Sequence, residues 1–315
     1  MMKSVAAPAP AVSLDVGSIP LSARTKIALA FAAIYLIWGS TFLATRYAVV
    51  LIPPFFVSGT RFFVAGVVLF AYARARNKDP LTWRNWQAAL LLGALFFFIC
   101  HGGVSWAARH VPSGISALLM ASISMWTALI EVIRRSESRP RPLVIVSLLA
   151  GFVGMALLVA RPQVLAGSDV GSIGAIVVLV GAFSWALGTV LTQKVDLPSS
   201  TILSASMQMI CGGALLLILG VATGQAADFH PSHITSSALW GMLFLTFVGS
   251  LAGFTCYIWL LGQCSPTRVA TYAYVNPIVA LFLGWAIAGE QLTERSLLAS
   301  LIVVGSVAVI ISARE

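Results

Sequence analysis

The sequence predicts an all-α polytopic membrane protein with ten transmembrane helices, arranged as two five-helix repeats of inverted topology. Three observations predict this class: an apolar composition, uncharged runs about 20 residues long, and two halves that repeat each other. Of the 315 residues, 59% are hydrophobic and 9% are charged, and the mean hydropathy is +0.96. Soluble proteins are about a quarter charged, so this chain has too few polar side chains to cover a surface that faces only water.

Ten apolar segments account for nearly all of the chain, and each is bounded by Pro, Gly or charged residues. A run of about 20 apolar residues matches the thickness of the hydrocarbon core of a bilayer. The runs are continuous rather than alternating, which is typical of membrane helices and not of barrel strands. Segments 1 to 10 cover residues 27–47, 54–73, 86–107, 112–133, 143–160, 171–193, 199–221, 237–262, 266–288 and 295–313.

The distribution of basic residues predicts the orientation. Fourteen of the 19 Lys and Arg residues fall on the N-terminal tail, on alternate loops and at the C-terminus, and four fall on the opposite side. Since cytoplasmic loops carry the excess of positive charge, both termini are predicted to lie in the cytoplasm. The net charge of +9 is therefore a topology signal, and no nucleic-acid partner is expected. Residues 1–26 lack an apolar core and are predicted to form a disordered cytoplasmic tail.

The two halves of the chain repeat each other. Trp38 and Trp185 are separated by 147 residues, and beyond segment 2 the separation becomes 154, as for Trp86 and Trp240. Because each copy holds an odd number of segments, the second copy enters the membrane from the opposite side. Folds built this way place a substrate path at the interface between the copies. The predicted units are the first repeat at 27–160, a periplasmic linker at 161–170 and the second repeat at 171–313.

Segment 4 carries a stripe of hydroxyl and thioether side chains. Ser116, Met120 and Ser124 recur at a spacing of four, and Ser113 and Thr127 extend the stripe by steps of three, so all of them share one helix face. A lipid-facing surface has no use for a row of hydroxyls, so the stripe is a candidate lining of a solute path. The alternative is structural, because Ser and Thr hydroxyls also bond to the carbonyl of residue i−4 in their own helix.

His101 is the single histidine within a predicted membrane segment. An ionisable side chain at that depth is a functional hypothesis by default. The alternative is a neutral imidazole that bonds a backbone carbonyl. Gly102 and Gly103 follow directly and would let another helix or a ligand approach closely; we treat both as candidate hinge positions.

Trp185 lies in the middle of segment 6, away from the membrane interface where tryptophans usually lie. Its indole N–H needs a partner that lipid does not provide. Trp38 is its mate in the first repeat. We expect one of the two tryptophans to be a packing residue and the other to form the wall of a site for an aromatic or aliphatic ligand, and Trp185 is the stronger candidate for the wall.

Segment 9 carries Tyr272, Tyr274 and Asn276 immediately before Pro277. Proline removes an amide hydrogen bond and disturbs the preceding turn, which frees carbonyls that an ammonium group of a ligand can use. Tyr257 on segment 8 is expected to face the same space. A kink without any binding role is the alternative.

Arg61 lies within segment 2, and no acidic residue lies inside a neighbouring segment. One hypothesis is that it holds a substrate carboxylate. The alternatives are that it caps backbone carbonyls or that its side chain extends outward to the membrane surface.

Several functional classes have no support in the sequence. The chain has no phosphate-binding loop, no HExxH and no Ser/His/Asp spacing, and its four cysteines show no metal-ligand spacing. We therefore expect neither an enzyme nor a metal or cofactor. With Glu131 as the one acidic residue inside a segment, a pump built on a carboxylate at the membrane midplane is disfavoured.

Three stretches resemble a known transporter group: IWGSTFLATRYAV in segment 1, FVSGTRFFVAG in segment 2 and PTRVATYAYVNPIVALFLGWAIAGEQLT in segment 9. They are similar to the drug/metabolite transporter superfamily, within it to the ten-helix EamA branch, and more narrowly to the YddG-like aromatic amino-acid exporters. The resemblance covers roughly residues 27–313. One departure is that segment 4 ends in EVIRRSES, where segment 9 is closed by Gly289 and Glu290.

The resemblance implies export of small metabolites across the bacterial inner membrane, through a central cavity between two five-helix halves. In the exporter type, a histidine on helix 3 and a tryptophan on helix 6 are implicated in the path, and His101 and Trp185 occupy those places. We therefore expect a monomeric exporter of amino acids in the lipid bilayer that works by alternating access. Phenylalanine, tryptophan, tyrosine and methionine are the favoured substrates, with threonine as a further candidate. A transporter of drugs or sugar-type metabolites with the same fold is the alternative.

Overall fold

The computed structural model describes residues 23–77, 80–134, 142–159, 170–227, 229–264, 269 and 271–312. Within these ranges every regular element is a helix and no strand occurs, which confirms the all-helical part of the predicted fold class. Residues 1–22 of the predicted tail and residues 161–169 of the predicted linker lie outside the described residues.

The described helices, apart from a short 3₁₀ helix at Pro231–His233, overlap the ten apolar segments, and we number them α1 to α10 in that order. Three of them, α3, α4 and α8, consist of consecutive helical pieces. The continuous helices are α1 (Ala23–Ala48), α2 (Pro54–Arg76), α5 (Pro142–Val159), α6 (Val170–Leu191), α7 (Thr201–Ala222), α9 (Tyr272–Ala288) and α10 (Glu294–Ser312). The helices made of consecutive pieces are α3 (Trp83–Gly93, Ala94–His101, Gly102–Ala107), α4 (Ser113–Ala121, Ile123–Arg134) and α8 (Ser236–Leu243, Phe244–Ala252, Gly253–Leu261).

Among the described helices, seven are long and apolar enough to cross a membrane: α1 to α4 and α6 to α8. Shorter apolar stretches lie in α5, at Pro142–Leu157, and in α9, at Val275–Ala288. The chain is thus an all-helical polytopic membrane protein. The number of ten crossings and the inverted arrangement of the two halves stay predictions.

The outward faces of the helices are apolar, as a lipid environment requires. Leu36, Ile218 and Leu301 are 61%, 64% and 73% exposed. Contiguous exposure of large apolar side chains is unfavourable in water. The helical backbone satisfies its own hydrogen bonds, so these faces can be covered by lipid tails.

Side-chain caps determine where several helices begin. Thr82 and Asn85 form a capping box at the start of α3, and the amide of Asn85 also donates to the backbone oxygen of Asp196 at 2.9 Å. Ser200 caps α7 and Thr235 caps α8, each by accepting from a backbone N–H three residues later. At the other end, Gly289 terminates α9 in the left-handed region, with φ +63°, where glycine avoids the strain of a Cβ.

Two stretches of π-helix were not predicted from the sequence. Residues Ala94–His101 of α3 and Phe244–Ala252 of α8 have this wider turn. In α8, the hydroxyl of Ser250 donates to the backbone oxygen of Leu245, five residues earlier, at 3.0 Å. A π-helical stretch changes which side chains share a helix face, and such stretches occur frequently at functional sites.

Helices α2 and α7 run antiparallel and pack closely against each other at glycine positions. A Cβ on Gly66 would lie 2.8 Å from the backbone nitrogen of Ile210, and a Cβ on Gly213 would lie 2.6 Å from that of Phe63. The two contacts are reciprocal, because Gly66 and Gly213, like Phe63 and Ile210, are separated by 147 residues. Small residues at such crossings allow backbones to approach in a membrane. The α5 and α10 helices pair in the same antiparallel sense, with Gly154 against Ile302.

Several other contacts between the halves also come in matched pairs. Helix α1 packs on α8 and α9, and α6, its counterpart in the second half, packs on α3 and α4. Likewise α7 packs on α3, while α2 packs on α8. The core is therefore spread along the boundary between the halves, and side chains from both meet there.

Candidate functional site

His101 lies in a cluster of aromatic rings contributed by three helices. Its ring centroid is 4.7 Å from that of Phe62 on α2 and 6.0 Å from that of Phe97 on α3, with the Phe97 plane tilted by 12°. Trp185 of α6 meets His101 edge to face at 5.5 Å and meets Phe96 at 4.8 Å. The structure thus brings His101 and Trp185, which belong to different halves of the chain, into contact.

The polar atoms of this pair have no hydrogen-bond partner in the part of the chain that the structure describes; this holds for both ring nitrogens of His101 and for Nε1 of Trp185. The alternative in which the imidazole bonds a backbone carbonyl is therefore not observed among the described residues. The backbone oxygen of His101 instead accepts a hydrogen bond from Ser58 at 3.3 Å, and Ser58 shares a 2.6 Å hydrogen bond with Ser105.

Trp38 is the centre of a second aromatic cluster. Tyr272 of α9 lies edge to face with it at 5.0 Å, and Tyr257 and Phe254 of α8 lie at 5.2 and 6.4 Å. The indole nitrogen of Trp38 donates to the backbone oxygen of Gly249 in the π-helical stretch of α8, at 3.2 Å. As predicted from the sequence, Tyr257 and Tyr272 face the same space, with centroids 6.0 Å apart.

Phe254 connects the two clusters, because it packs both on Trp38 and on the core group that contains Phe62 and Phe97. Sequence reasoning missed these three phenylalanines. The available signal was their spacing, since Phe97 lies four residues before His101 and Phe254 lies three residues before Tyr257. The two aromatic clusters are therefore joined through this core group across the boundary between the halves.

Arg61 is 5% exposed, so its side chain does not extend outward to the membrane surface. Its Nε donates to the hydroxyl of Ser250 at 3.2 Å, and its guanidinium carbon lies 4.2 Å from the centroid of the Phe62 ring. Among the described residues it caps no backbone carbonyl and pairs with no carboxylate. The interpretations in which Arg61 caps backbone carbonyls or extends to the membrane surface are therefore not observed in this part of the chain.

The stripe on α4 divides into two kinds of residue. The hydroxyl of Thr127 donates to the backbone carbonyl of Ile123, four residues earlier, at 2.7 Å, so this residue has the structural role expected of a helix hydroxyl. Ser116 and Ser113 are buried, and their hydroxyls have no partner among the described residues. Met120 lies near Cys100 of α3, with the two sulfur atoms 3.9 Å apart, and Ser124 is partly exposed.

Asn276 is 7% exposed, and its Oδ1 has no hydrogen-bond partner within the described ranges. Its backbone oxygen lies against Gly39, the neighbour of Trp38, which places Asn276 beside the second cluster. Pro277 lies inside α9, and the helix continues through it. The backbone of Tyr274 belongs to α9, but its side chain lies outside the described residues.

Gly102 and Gly103 allow helices to approach each other. A Cβ on Gly102 would lie 2.6 Å from Cδ2 of Leu216 on α7, and a Cβ on Gly103 would lie 3.0 Å from Cγ1 of Val177 on α6. Close helix packing accounts for both glycines, and their role as hinges stays a prediction.

Glu290, just beyond α9, forms a polar connection between the halves. Its Oε1 accepts from Nη1 of Arg46, at the end of α1, at 2.7 Å. Its two carboxylate oxygens also accept from the first backbone amides of α4, those of Ser113 at 2.8 Å and Gly114 at 3.2 Å. A carboxylate at a helix N-terminus is stabilised by the unpaired N–H groups there. Sequence reasoning noted Gly289 and Glu290 but not this connection.

A cavity of about 190 Å³ lies apart from the aromatic clusters. None of its lining residues belongs to the predicted path. They are Val50, Leu51, Pro53, Arg109, Gln225, His230 and His233, at the end of the helices that is predicted to be periplasmic.

The described residues contain no group of three or more His, Cys, Asp or Glu side chains that could hold a metal ion. The aromatic clusters offer ring faces, a guanidinium, and hydroxyl, amide and imidazole groups without a partner among the described residues. Apolar surroundings with a few polar groups of this kind are typical of sites that bind small organic molecules.

The sequence matches the EamA-like transporter family over residues 25–160 and 172–312. It is similar to an uncharacterized inner membrane transporter of Escherichia coli K12, YedA, with 32% identity over 279 residues and 88% of each chain covered. It is also similar to a probable amino-acid metabolite efflux pump of Salmonella typhimurium, with 24% identity over 86% of this chain and 89% of that protein. Protein PecM of Dickeya dadantii is 26% identical over 83% of this chain and 84% of that protein.

The fold also resembles a solved crystal structure. The two superimpose with a TM-score of 0.58 and 20% sequence identity, over 91% of this chain and 98% of the other. A likeness at this identity concerns the arrangement of the helices.

Proposed function

Because this chain belongs to the EamA-like transporter family of the drug/metabolite transporter superfamily, we propose that it exports amino acids across the bacterial inner membrane. Aromatic and other large apolar amino acids are the favoured substrates, as in the YddG-like type. The names of relatives as amino-acid metabolite efflux pumps and as an inner membrane transporter support this proposal.

The proposal includes ten membrane crossings in two inverted halves. Antiparallel pairing of α2 with α7 and of α5 with α10 supports it, because a two-fold axis in the membrane plane turns each helix of such a pair into its partner. The reciprocal contacts of Gly66 and Gly213 support it at the level of single residues. A repeat related by an axis along the membrane normal would give parallel pairs instead.

One observation carries the proposal most strongly: unpartnered polar groups lie among aromatic rings along the boundary between the halves. Arg61, His101 and Trp185 surround Phe62 and Phe97, and each has a polar atom without a protein partner among the described residues. Arg61 is buried and His101 and Trp185 are half-buried, and polar groups removed from bulk water are nearly always satisfied by protein or by ordered water. A passage through which polar solutes and water move supplies the missing partners.

In the proposed mechanism, Trp185 and the tyrosines Tyr257 and Tyr272 contact the apolar side chain of the solute. His101 and the hydroxyl of Ser116 supply polar contacts, and Oδ1 of Asn276 accepts from the solute ammonium. Alternating access follows when the two halves rock about this boundary, so that the same residues face each side in turn.

Counterflow in liposomes tests the function. Liposomes that contain the purified protein and unlabelled phenylalanine are placed in labelled phenylalanine, and we expect accumulation well above that in protein-free liposomes. The same assay with a panel of drugs and sugars distinguishes the alternative. Counterflow of a drug or a sugar, with none for any amino acid, would contradict the proposal.

A further inference from the structure

Arg61 is a buried cation that lacks a counter-ion in the described part of the chain. The ion pairs there are Arg46 with Glu290 and Arg84 with Asp196, and neither involves Arg61. Its Nε is bonded to Ser250 at 3.2 Å, and its two Nη atoms have no hydrogen-bond partner among the described residues. The end of the guanidinium fork is therefore open.

An open guanidinium inside a membrane protein needs an anion. Burial of an unpaired charge is strongly unfavourable, and a guanidinium keeps its charge at neutral pH. The hydroxyl of Ser250 and the ring of Phe62 offer dipoles and a quadrupole but no neutralising charge. The two Nη atoms form a planar donor pair that matches the two oxygens of a carboxylate.

The position of Arg61 connects it to both aromatic clusters. Phe62, the next residue, contacts His101 at 4.7 Å. Ser250, its hydrogen-bond partner, follows Gly249, which accepts the indole N–H of Trp38. Through Phe62 and Ser250, Arg61 is therefore connected to both aromatic clusters.

We propose that Arg61 binds the carboxylate of the transported solute, with Ser250 holding the guanidinium in place, so that the substrate class is carboxylate-bearing zwitterions rather than amines or neutral metabolites. This inference rests on the proposed function and deepens it. The π-helical stretch of α8 has a specific part in it, because it presents the Ser250 hydroxyl to Arg61 and the Gly249 carbonyl to Trp38.

The test compares phenylalanine with phenylalaninamide, which keeps the ring and the ammonium but lacks the negative charge. In counterflow, the wild-type protein is expected to have a half-saturation concentration at least about tenfold lower for phenylalanine, the preference that one charge-assisted hydrogen-bond pair provides. Arg61→Gln is expected to abolish this preference, because it raises the half-saturation concentration for phenylalanine and leaves that for phenylalaninamide unchanged. Arg84→Gln, on the exposed side of α3, is the matched control and should retain it.

An unchanged preference in Arg61→Gln would overturn the proposal and leave amino-acid transport intact. If Arg61→Gln does not fold, as judged by size-exclusion chromatography, Arg61→Lys takes its place; it keeps the charge but loses the planar fork. We expect it to lose most of the preference, and full retention would overturn the proposal.

A second measurement separates this inference from the proposed function. In detergent, phenylacetate is expected to raise the melting temperature of the wild-type protein more than phenylacetamide does, and Arg61→Gln is expected to remove the difference. Equal shifts for the two compounds in the wild type would overturn the carboxylate site, whether or not amino acids are transported. Absent phenylalanine counterflow with a retained phenylacetate shift would reject the function and keep the site.

Discussion

Trp38 and Trp185 occupy equivalent positions in the two halves, but their indole nitrogens have different surroundings. Nε1 of Trp38 donates to the backbone oxygen of Gly249, whereas Nε1 of Trp185 has no partner among the described residues. Trp38 is thereby fixed to α8. Trp185 keeps a free donor beside His101, which suits a residue that contacts a passing solute.

Replacement of Trp185 by Ala is expected to impair transport more than folding. Loss of an aromatic contact weakens solute binding by about 1.5 kcal/mol, or roughly tenfold. The measurement is the half-saturation concentration for phenylalanine in counterflow. Trp285→Ala is the control, because Trp285 is 55% exposed on the outer face of α9. Equal effects of the two substitutions would remove Trp185 from the path.

Residue-level prediction from the sequence succeeded where a polar or unusual side chain gave a signal. The shared space of Tyr257 and Tyr272 was predicted in this way, whereas His101 and Trp185 were each proposed as path residues without a prediction that their rings meet. Phe62 and Phe254 were not, because a phenylalanine in an apolar segment is the ordinary case and carries no signal of its own.

At the scale of elements, Glu290 joins the end of α1 to the start of α4. The corresponding position in the first half, 154 residues earlier, is Ser136, which has no carboxylate. The carboxylate contact of Glu290 therefore has no sequence counterpart at the opposite end of the fold.

Glu290→Gln is expected to lower the free energy of unfolding. The substitution removes the ion pair with Arg46 and the negative charge that accepts hydrogen bonds from the first two backbone N–H groups of α4. Loss of such a charge-assisted network costs about 1–3 kcal/mol. Thermal unfolding in detergent measures it, with Glu294→Gln, on an exposed side chain in the first turn of α10, as the control. A melting temperature equal to that of the control would show that the connection contributes nothing.

Close helix crossings give another prediction at this scale. A Cβ on Gly212 would lie 2.5 Å from the backbone oxygen of Gly93 and from Cβ of Phe97, so α3 and α7 would have to separate. We expect Gly212→Ala to destabilise the protein by about 1–3 kcal/mol. Alanine favours a helix over glycine by up to about 1 kcal/mol, so the clash outweighs the helical preference.

Gly305→Ala is the matched control, because a Cβ there meets nothing within 4 Å. It should be neutral or slightly stabilising when thermal unfolding is compared in the same detergent. Gly212→Ala melting at or above the temperature of Gly305→Ala would contradict the packing account.

Element positions followed from hydropathy, because each membrane-length apolar run has distinct polar or proline boundaries. The two π-helical stretches did not follow. Whether a turn holds 3.6 or 4.4 residues depends on packing against neighbouring helices, and hydropathy contains no information about those contacts. For the same reason, the bond from Ser250 to Leu245 could not be foreseen.

At the scale of the whole molecule, the sequence repeat predicts an inverted topology that the helix pairing supports. Fusions to reporter enzymes test it directly. We expect alkaline phosphatase to be active when inserted after Thr223, in the loop between α7 and α8, and inactive when fused to the C-terminus. Green fluorescent protein should behave in the opposite way, and phosphatase activity at the C-terminus would place the end of the chain in the periplasm.

The central claim is that a solute passes between the two halves, and substrate protection of a single cysteine tests it most directly. In a variant without the native cysteines, Met120→Cys lies on the predicted path and Thr223→Cys lies at an exposed position just after α7. We predict that a water-soluble thiol reagent labels both positions, that phenylalanine slows the labelling of position 120, and that it does not slow the labelling of position 223. Position 120 staying unlabelled from both sides of the membrane, or labelling at the same rate with and without phenylalanine, would contradict the claim.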